Sequence, residues 1–483
     1  MNKKVLLMMA LLVSLHTSAG SKNSQQIINE SIAAYSGECP CPYSKKDSGE
    51  RCGKDSAWYV PSKDIPLCFE SDVATIDAGE LNAQNLDPIN LKQSKERKFN
   101  NPTYNSDKEI VYYGHQLPER GSYSDETLRF YFDKQMHYES TQFEKYEVKA
   151  SDSPYVFNSE PQEFDTVNAN LAETGLVSYL FYEDGKIKVD KKSPKNRFGY
   201  MFDDSSQLIA NSMGKSMVSY VLGHAICKGY IKDVNEEMDW LLLKDTLYDN
   251  QKLIDLINMR AGDQNYLDKK IGLLGARTSV NNFSILKIMD GELKGSSGSN
   301  RIWNYNALPP NIVINYIMYK VGYGEKYQEF LNDIFQKKVG INNEVWFVKG
   351  GKKWGSNEEM DGHSKSSFYA SRYDYLRIAK AMLDDWNNDT CVGKYLKTVY
   401  KERVNKNYNS DAISPMSKTS RYGGFFHTDY PGLFFNGRIL AMDGYGGQMI
   451  WINFDDNRIV VANAITLNFD WSRIVAHPVM FGL

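Results

Sequence analysis

Two stretches of the chain alternate between apolar and polar positions as β-strands do, and each folds back at a turn. The first begins at Gly175 and reads GLVSYLFYEDGKIKVDKKS, with Asp184 and Gly185 at its centre. Asp-Gly between two β-rich runs is a strong hairpin signal. Near the C-terminus, QMIWINF and RIVVANAIT flank residues 455–457 in the same way. The pattern therefore predicts two hairpins, followed by a short helix from Asp470 onward.

Between the hairpins, apolar residues recur with helical spacing. The pattern predicts helices over Ser212 to Lys228, Asn311 to Val321 and Tyr373 to Trp386. The first is apolar on nearly every side, so we expect it to run through the middle of the protein. Strands at both ends with helices between them predict an α+β fold with one antiparallel sheet. No fixed-period repeat is visible, which argues against solenoids and propellers.

The N-terminus has the features of a secretory signal. Lys3 and Lys4 precede an apolar run from Val5 to Leu15, and small residues then lead to a cleavage site near Ala19. The run is too short to span a bilayer, and no later stretch reaches the roughly 18 to 20 apolar residues that a transmembrane helix needs. The sequence predicts a mature protein in the periplasm or outside the cell, without a transmembrane segment.

Charge and motif content exclude several classes of function. The net charge is -3 for the whole chain and becomes -5 when the two lysines of the signal are removed. Nothing in this balance indicates binding to nucleic acid or to an anionic membrane surface. The chain contains neither His-Glu-x-x-His nor a phosphate-binding glycine loop, and no Gly-x-Ser-x-Gly elbow. We therefore expect no metal and no cofactor.

Four cysteines cluster near the mature N-terminus, at Cys39, Cys41, Cys52 and Cys68. Their segment is rich in Pro, Gly, Ser and charge, so it needs covalent links to stay folded. Disulfides fit better than zinc, because the spacings do not match those of structural zinc sites. Three pairings are possible, and the sequence does not choose among them. The text CPCPY, followed by RCG and LC, resembles a short cysteine-rich segment attached to assorted exported bacterial proteins.

Ser212 and Lys215 form the candidate catalytic pair. Three residues apart at the start of a helix, they lie on one face, so the amine can reach the hydroxyl. A lysine that normally titrates near 10.4 must lose about three pKa units, roughly 4 kcal/mol, to act as a base near pH 7, and burial could supply this. The same spacing also arises by chance. Ser284 and Lys287 repeat it in an amphipathic stretch, where both are ordinary helix residues.

In its setting, SMGKSMVSYVLGHAICKGY resembles the active-site helix of class C β-lactamases, DD-peptidases and related esterases. Downstream, YIKDVNEEM and LIDLINMRAG resemble the text that follows this helix in the family, in the same order and at similar distances. The resemblance extends from about Gly175 to the C-terminus. It implies a β-lactamase/transpeptidase-like antiparallel sheet flanked by helices, plus an all-helical lobe, with the active serine between the two parts.

The second motif of the family, Tyr-x-Asn, has a partial counterpart in IWNYNALPP. Tyr305 takes the tyrosine position, which the resemblance places against the serine. Ala307 stands where the family commonly has Asn, and Asn306 just before it is the candidate substrate-binding amide. The ordinary alternative is a packing role, since the chain has 32 tyrosines.

The third motif, a Lys or His followed by two small residues, is matched by Tyr445, Gly446 and Gly447 in the substrate-binding position, with tyrosine in place of the cation. Glycines there let a substrate lie close to the strand backbone. By family position, the backbone N–H groups of Ser212 and Gln448 form the oxyanion hole. The alternative is a β-bulge or a tight bend.

The resemblance implies an exported serine hydrolase without cofactor. Ser212 would attack an acyl carbon while Lys215 and Tyr305 move the proton, and either of these two could be the base. We predict an ester or amide of a small molecule or short peptide as substrate, as in the carboxylesterase and 6-aminohexanoate-dimer hydrolase branch, because Tyr445 and Ala307 weaken the groups that usually hold a carboxylate. The open alternatives are a β-lactamase or DD-peptidase and a non-catalytic exported binding protein.

The remaining candidates have ordinary interpretations. His224, His363 and His427 lack the sequence context of a catalytic base, so we expect structural roles for them. Cys227 lies on the apolar helix and is expected to be a small buried hydrophobe. The predicted organisation is a signal peptide at 1–19, a disulfide-stapled segment at 20–80, a linker or wrapping segment at 81–162, and the hydrolase domain at 163–483.

Overall fold

The computed structural model describes residues 24–41, 44–48, 144–264, 288–350, 363–406, 419–430 and 437–483, with shorter pieces between residues 52 and 132 and at residue 285. The chain divides into two compact units, Met1–Ser122 and Tyr123–Leu483. The predicted signal peptide lies outside the described residues, as do Ser284 and Lys287.

The first unit is held by two disulfides. Cys39 pairs with Cys52 and Cys41 pairs with Cys68, with Cα–Cα separations of 5.5 and 5.6 Å. The predicted use of this cluster is confirmed, and the pairing that the sequence left open is now assigned. The described elements of this unit are helix α1 (Ser24–Ala34) and two short antiparallel strands, β1 (Thr103–Tyr104) and β2 (Ile110–Val111).

The second unit contains two sheets. Its strands are β3 (Glu144–Val148), β4 (Asn158–Ser159), β5 (Leu176–Glu183), β6 (Lys186–Lys192), β7 (Leu208–Ile209), β8 (Val345–Lys349), β9 (Ser364–Ala370), β10 (Val404–Asn405), β11 (Arg421–Gly423), β12 (Phe426–Thr428), β13 (Ile439–Gly444), β14 (Gln448–Asn453) and β15 (Arg458–Ala464). The larger sheet has the order β10-β11-β12-β13-β14-β15-β5-β6-β4, antiparallel except for the edge pair β4 and β6. The smaller sheet has the order β3-β8-β9-β7.

Both predicted hairpins are confirmed. Strands β5 and β6 meet at Asp184 and Gly185, whose φ angles of 48° and 83° are those of a tight turn that Asp-Gly adopts readily. Strands β14 and β15 pair across the second turn, where Asn457 has a φ of 54°. The two hairpins are neighbours, because β15 pairs with β5 and so joins the two ends of the domain in one sheet.

Helices cover the sheets and fill the space between them. The helices of the second unit are α2 (Asp165–Glu173), α3 (Met213–Cys227), α4 (Leu253–Ile257), α5 (Leu308–Val321), α6 (Glu325–Asn332), α7 (Arg372–Asn387), α8 (Cys391–Lys401) and α9 (His477–Phe481). Shorter helical segments occupy Leu241–Leu243, Ile288–Glu292, Asp333–Val339 and Ser472–Ala476. All four predicted helices are confirmed. In the described part of the chain, no helix has the length and apolar character needed to cross a membrane.

Helix α3 is central, as its all-round apolar sequence predicts. It is buried over nearly its whole length and contacts β9, β13, α5 and α8. It approaches β9 so closely that a Cβ atom on Gly214 would lie 1.9 Å from the carbonyl oxygen of Ser366. Only glycine fits at this position without displacement of the strand.

Two features of the second unit were not expected from the sequence. The pattern predicts one antiparallel sheet, whereas the structure has a second one, whose strands β8 and β9 are short buried runs separated by a long connection. Strands β3 and β4 also belong to this unit, although they come from the segment predicted as linker and wrapping. The alternation of the β3 sequence EKYEV is too short to be distinctive.

The expectation for Cys227 is corrected. This residue is half-buried and forms a disulfide with Cys391, with a Cα–Cα distance of 5.7 Å across a sequence separation of 164 residues. The bond ties the end of α3 to the beginning of α8. A pair this far apart in sequence leaves no local signal, so the bond could not be read from the pattern.

Candidate active site

The start of α3 brings Ser212 and Lys215 together. Ser212 is the residue before the first helical position, and the Lys215 Nζ atom donates a hydrogen bond to Ser212 Oγ at 2.9 Å. Lys215 is 7% exposed. Among the described residues, no carboxylate lies within the 4.0 Å of an ion pair to this amine. The geometry is one in which a hydroxyl and an amine can exchange a proton.

Asn211 forms the sharp backbone turn that immediately precedes Ser212. Its φ of 49° lies in the left-handed region, which an asparagine tolerates better than most residues, and it turns the chain sharply before Ser212. Its Nδ2 atom donates to the carbonyl oxygen of Tyr445 at 2.6 Å. Asn211 was not predictable as a site residue, because neither its backbone conformation nor this hydrogen bond has a sequence signature.

The third motif therefore lies against the nucleophile. A Cβ atom on Gly444 would lie 2.3 Å from the carbonyl oxygen of Ala210, so the turn and the chain before Ser212 are in backbone contact. Gly446 and Gly447 have φ angles of 87° and 92°, which makes both glycines necessary to the turn between β13 and β14. Tyr445, at the tip of this turn, is 65% exposed.

Gln448 has a different setting from the one that its predicted role requires. It is fully buried and pairs with Gly444 in the register of the hairpin, and its side-chain Nε2 donates to the carbonyl of Ala464. An oxyanion donor must have surface that a substrate can reach. Ser212 is only partly buried, and within the described part of the chain its backbone N–H donates to no protein acceptor. Of the two predicted donors, Ser212 has the more suitable surroundings.

Tyr305 enters the same region from the loop before α5. The Lys215 Nζ atom lies 4.8 Å from the centroid of its ring. The ring is also surrounded by those of Trp303, Tyr422 and His427, at centroid distances of 6.0, 5.9 and 6.1 Å. The Tyr305 hydroxyl has no hydrogen-bond partner among the described residues. The three residues predicted to move the proton are thus neighbours, with the tyrosine hydroxyl still uncommitted.

Asn306 is committed to its own loop. Its Nδ2 atom donates to Asp263 Oδ2 at 3.2 Å and to the carbonyl of Asn304 at 3.1 Å, while its Oδ1 accepts from the backbone N–H of Leu308 at 2.9 Å. The side chain is 8% exposed. The amide predicted to bind substrate is therefore saturated by internal partners, and its proposed role as a substrate contact gains no support from this geometry.

His427, for which a structural role was expected, lies against the ring of Tyr305, and Lys406, which the sequence did not point to, lies beside His427. His427 is 3% exposed, and its Nδ1 atom lies 3.3 Å from Lys406 Nζ. Burial, together with the charges of Lys406 and Lys215, holds the pKa of His427 well below its usual range, so the ring stays neutral. Burial also lowers the pKa of Lys406 to about 8, although Asp443 opposes the shift.

The other two histidines are remote from these residues in their contacts. His224 lies on α3 against the ring of Tyr220, and burial lowers its pKa to about 4. His363 lies near Trp240 and Tyr323. Within the residues that the structure describes, no group of three or more His, Cys, Asp or Glu side chains is arranged to hold a metal ion.

The fold has counterparts among solved structures. No family model matches the sequence, and no curated protein matches it. A Bacillus anthracis protein named as a 6-aminohexanoate-dimer hydrolase is 14% identical, with a TM-score of 0.51 over 71% of this chain and 93% of that chain. A Bacteroides dorei protein named as a β-lactamase has 14% identity and a TM-score of 0.46, covering 63% of this chain and 90% of its own. The D-amino acid amidase of Ochrobactrum anthropi SV3 has 13% identity and a TM-score of 0.46, covering 64% and 93%.

The fold class predicted from the sequence is therefore confirmed. The chain has a serine β-lactamase/transpeptidase-like fold, with an antiparallel sheet flanked by helices. Since identity at this level shows the fold alone, the chemistry has to be argued from the residues of this chain.

Proposed function

We propose that this chain is an exported serine hydrolase that acts on an ester or amide of a small molecule or short peptide through an acyl-enzyme on Ser212. The single observation that carries the proposal is the 2.9 Å contact between Ser212 Oγ and a buried Lys215 Nζ that has no described carboxylate partner. A lysine placed for packing or solubility would keep its charge in water or pair it with an acid.

The mechanism follows from the positions of three groups. Ser212 Oγ attacks the acyl carbon, and its proton passes along the hydrogen bond to Lys215 Nζ, which acts as the base. The oxyanion of the tetrahedral intermediate accepts a hydrogen bond from the Ser212 backbone N–H and is stabilised further by the positive end of the α3 dipole. Collapse of this intermediate forms the acyl-enzyme and expels the leaving group, which takes a proton from Lys215 directly or through the Tyr305 hydroxyl. Water then attacks the acyl carbon, with the same groups acting as base, and releases Ser212.

The residues at the second and third motif positions support the proposed substrate class. Tyr445, an exposed aromatic residue, takes the motif position in which the family usually has a cation, and Asn306 is hydrogen-bonded within its own loop. These features favour substrates that are not held by a carboxylate, such as small esters and amides, over β-lactams. Lys406 is a buried cation close to His427, which keeps a β-lactamase or DD-peptidase activity as the second candidate.

Export is part of the proposal. Three disulfides link the six cysteines, and such bonds persist in oxidising compartments and are rare in the cytosol. Together with the apolar N-terminal run, they support a location in the periplasm or outside the cell.

The substrate class is tested with purified mature protein on three probes: p-nitrophenyl acetate and butyrate, 6-aminohexanoate dimer, and nitrocefin. We expect hydrolysis of an ester or of the amide with kcat/KM of about 10⁴ M⁻¹s⁻¹ or more, and a far lower value for nitrocefin. Efficient turnover of nitrocefin alone would contradict the substrate assignment but leave the acyl-enzyme mechanism intact.

A further inference from the structure

We propose that Asp263 is a positioning residue for Tyr305, because its buried carboxylate binds the side chains of both neighbours of the tyrosine and so sets the direction from which Tyr305 approaches Lys215. The proposal rests on the proposed function, in which the Tyr305 hydroxyl takes part in proton transfer.

Three donors converge on the carboxylate of Asp263. Asn304 Nδ2 donates to Oδ1 at 3.2 Å, Asn306 Nδ2 donates to Oδ2 at 3.2 Å, and the Tyr248 hydroxyl donates to Oδ2 at 2.7 Å. Asn304 and Asn306 are the residues immediately before and after Tyr305. A single carboxylate therefore binds the side chains of both neighbours of the tyrosine, with one oxygen for each of them.

The loop that carries Asp263 is itself paired to the loop that carries Tyr305. The backbone N–H of Asn304 donates to the carbonyl of Met259 at 2.8 Å, and that of Ser299 donates to the carbonyl of Gly262 at 2.8 Å. Gly262 has a φ of 70°, and a Cβ atom there would lie 2.6 Å from the Ser299 carbonyl oxygen. The Asp263 loop therefore holds the backbone of the Tyr305 loop in a fixed position.

Asn306 connects Asp263 to the helix that follows the Tyr305 loop. While its amide nitrogen contacts Asp263, its Oδ1 accepts from the backbone N–H of Leu308, the first residue of α5. Helix α5 is fixed in turn to β9, because Asn315 exchanges hydrogen bonds with the backbone of Ser364. Asn306 thus links the Tyr305 loop, through α5, to the smaller sheet. The same sheet also contacts the nucleophile helix α3.

Burying the charge of Asp263 is unfavourable unless hydrogen bonds compensate for the lost hydration. The side chain is 1% exposed, and no cation lies within the 4.0 Å of an ion pair among the described residues. Burial raises the pKa of this carboxyl, against three side-chain hydrogen bonds and one backbone hydrogen bond that lower it. A carboxylate has only acceptor sites, so it can meet three donors without a proton of its own to accommodate, which an amide or a hydroxyl cannot do.

Tyr305 depends on the hydrogen bonds of its neighbours, because its own side chain makes no hydrogen bond within the described residues. Its ring is only partly buried among Trp303, Tyr422 and His427, and aromatic contacts at about 6 Å constrain the direction of a side chain weakly. Its hydroxyl has no partner in the part of the chain that the structure describes. The polar loop, rather than the hydroxyl, determines where the tyrosine stands.

The test is a double-mutant cycle on the rate at which a fluorophosphonate labels Ser212, read by intact mass. We expect Asp263→Asn to slow labelling about 10- to 100-fold in the wild-type background, the scale of a misplaced catalytic group. In the Tyr305→Phe background the same change should have less than about a twofold effect, because the hydroxyl that Asp263 positions is already gone. Equal effects in both backgrounds, or no effect in the first, would overturn the proposal.

Asp374→Asn is the matched control for loss of a buried carboxylate. Asp374 is also fully buried and accepts from the backbone N–H groups of Asn342 and Asn343, at the start of α7. It should lower the thermal midpoint and leave labelling unchanged. If Asp374→Asn slows labelling as much as Asp263→Asn, the effect is general destabilisation and the proposal is wrong.

A milder variant covers the case in which Asp263→Asn does not fold. Tyr248→Phe removes one donor to Asp263, and Tyr220→Phe removes a comparable buried bond to Asp385 at 2.9 Å. We expect slower labelling, by about two- to tenfold, for Tyr248→Phe alone. Equal rates for the two variants would overturn the proposal. A wild-type protein that does not label at all would instead refute the hydrolase function, and this inference with it.

Discussion

The two sides of the candidate site are held by different kinds of contact. Ser212 and Lys215 begin a helix that is apolar on nearly every side, meets β9 in close contact at Gly214, and is tied to helix α8 by the Cys227–Cys391 disulfide. Tyr305 stands on a loop fixed by polar groups around the buried carboxylate of Asp263.

The difference teaches how each half of the machinery can fail. The nucleophile side depends on close packing and on a disulfide, so it responds to changes in side-chain volume. The tyrosine side depends on directional bonds to one charge, and each bond lost leaves a buried polar group unsatisfied. Changes on the two sides should therefore differ in size and in pH dependence.

The largest effect is expected at Lys215. Replacing Lys215 with Met removes the proton acceptor of Ser212 and should slow fluorophosphonate labelling by about 10² to 10⁴-fold, the usual range for general base catalysis. Lys228→Met, at the other end of the same helix, removes an ion pair with Asp333 and should label at the wild-type rate. Equal labelling of wild type and Lys215→Met would show that the nucleophile is activated by another group.

The covalent link should come next in size. Replacing both Cys227 and Cys391 with Ser should lower the free energy of unfolding by about 2 to 4 kcal/mol, because the bond closes a long loop in the unfolded chain. The measurement is urea unfolding of the two proteins under identical oxidising conditions. Since the bond lies at the far end of α3 from Ser212, labelling of the folded variant should stay within about threefold of wild type. An unchanged midpoint would mean that packing alone holds the helix.

The smallest expected effect is a pH dependence of the free energy of unfolding that comes from Asp263, on the tyrosine side. The pKa of Asp263 is raised in the folded state, so its contribution to stability is greatest below its ordinary value of 3.8 and is lost as the pH rises through the raised value. The stability of wild type relative to Asp263→Asn should therefore decline over that window in urea titrations at several pH values. A difference that stays constant, or that moves in favour of the wild type with rising pH, would contradict the burial of this charge.

Residues whose neighbours are close in sequence were predictable. The Asp184-Gly185 turn has a local signature, and so does the run from Ser212 to Lys228, whose apolar positions on every side indicate a central helix. The Ser212–Lys215 contact also follows from spacing, since residues three apart lie on one helical face.

Residues whose role comes from distant neighbours were not predictable. Asp263 directly follows the LIDLINMRAG stretch, but nothing in the sequence links it to Asn304, 41 residues later. Cys227 and Cys391 are separated by 164 residues. His427 reaches Tyr305, and Lys406 reaches His427, only because β10 to β12 add to the edge of the sheet beyond β13. A one-dimensional pattern contains none of these pairings.

The central claim is that Ser212 is the reactive nucleophile, and peptide mapping after fluorophosphonate labelling tests it most directly. Mature wild type and Ser212→Ala are treated in parallel, measured by intact mass, digested and sequenced by mass spectrometry. The account predicts one adduct on wild type, located on Ser212, and none on Ser212→Ala. An adduct on another residue, or equal labelling of Ser212→Ala, would contradict it.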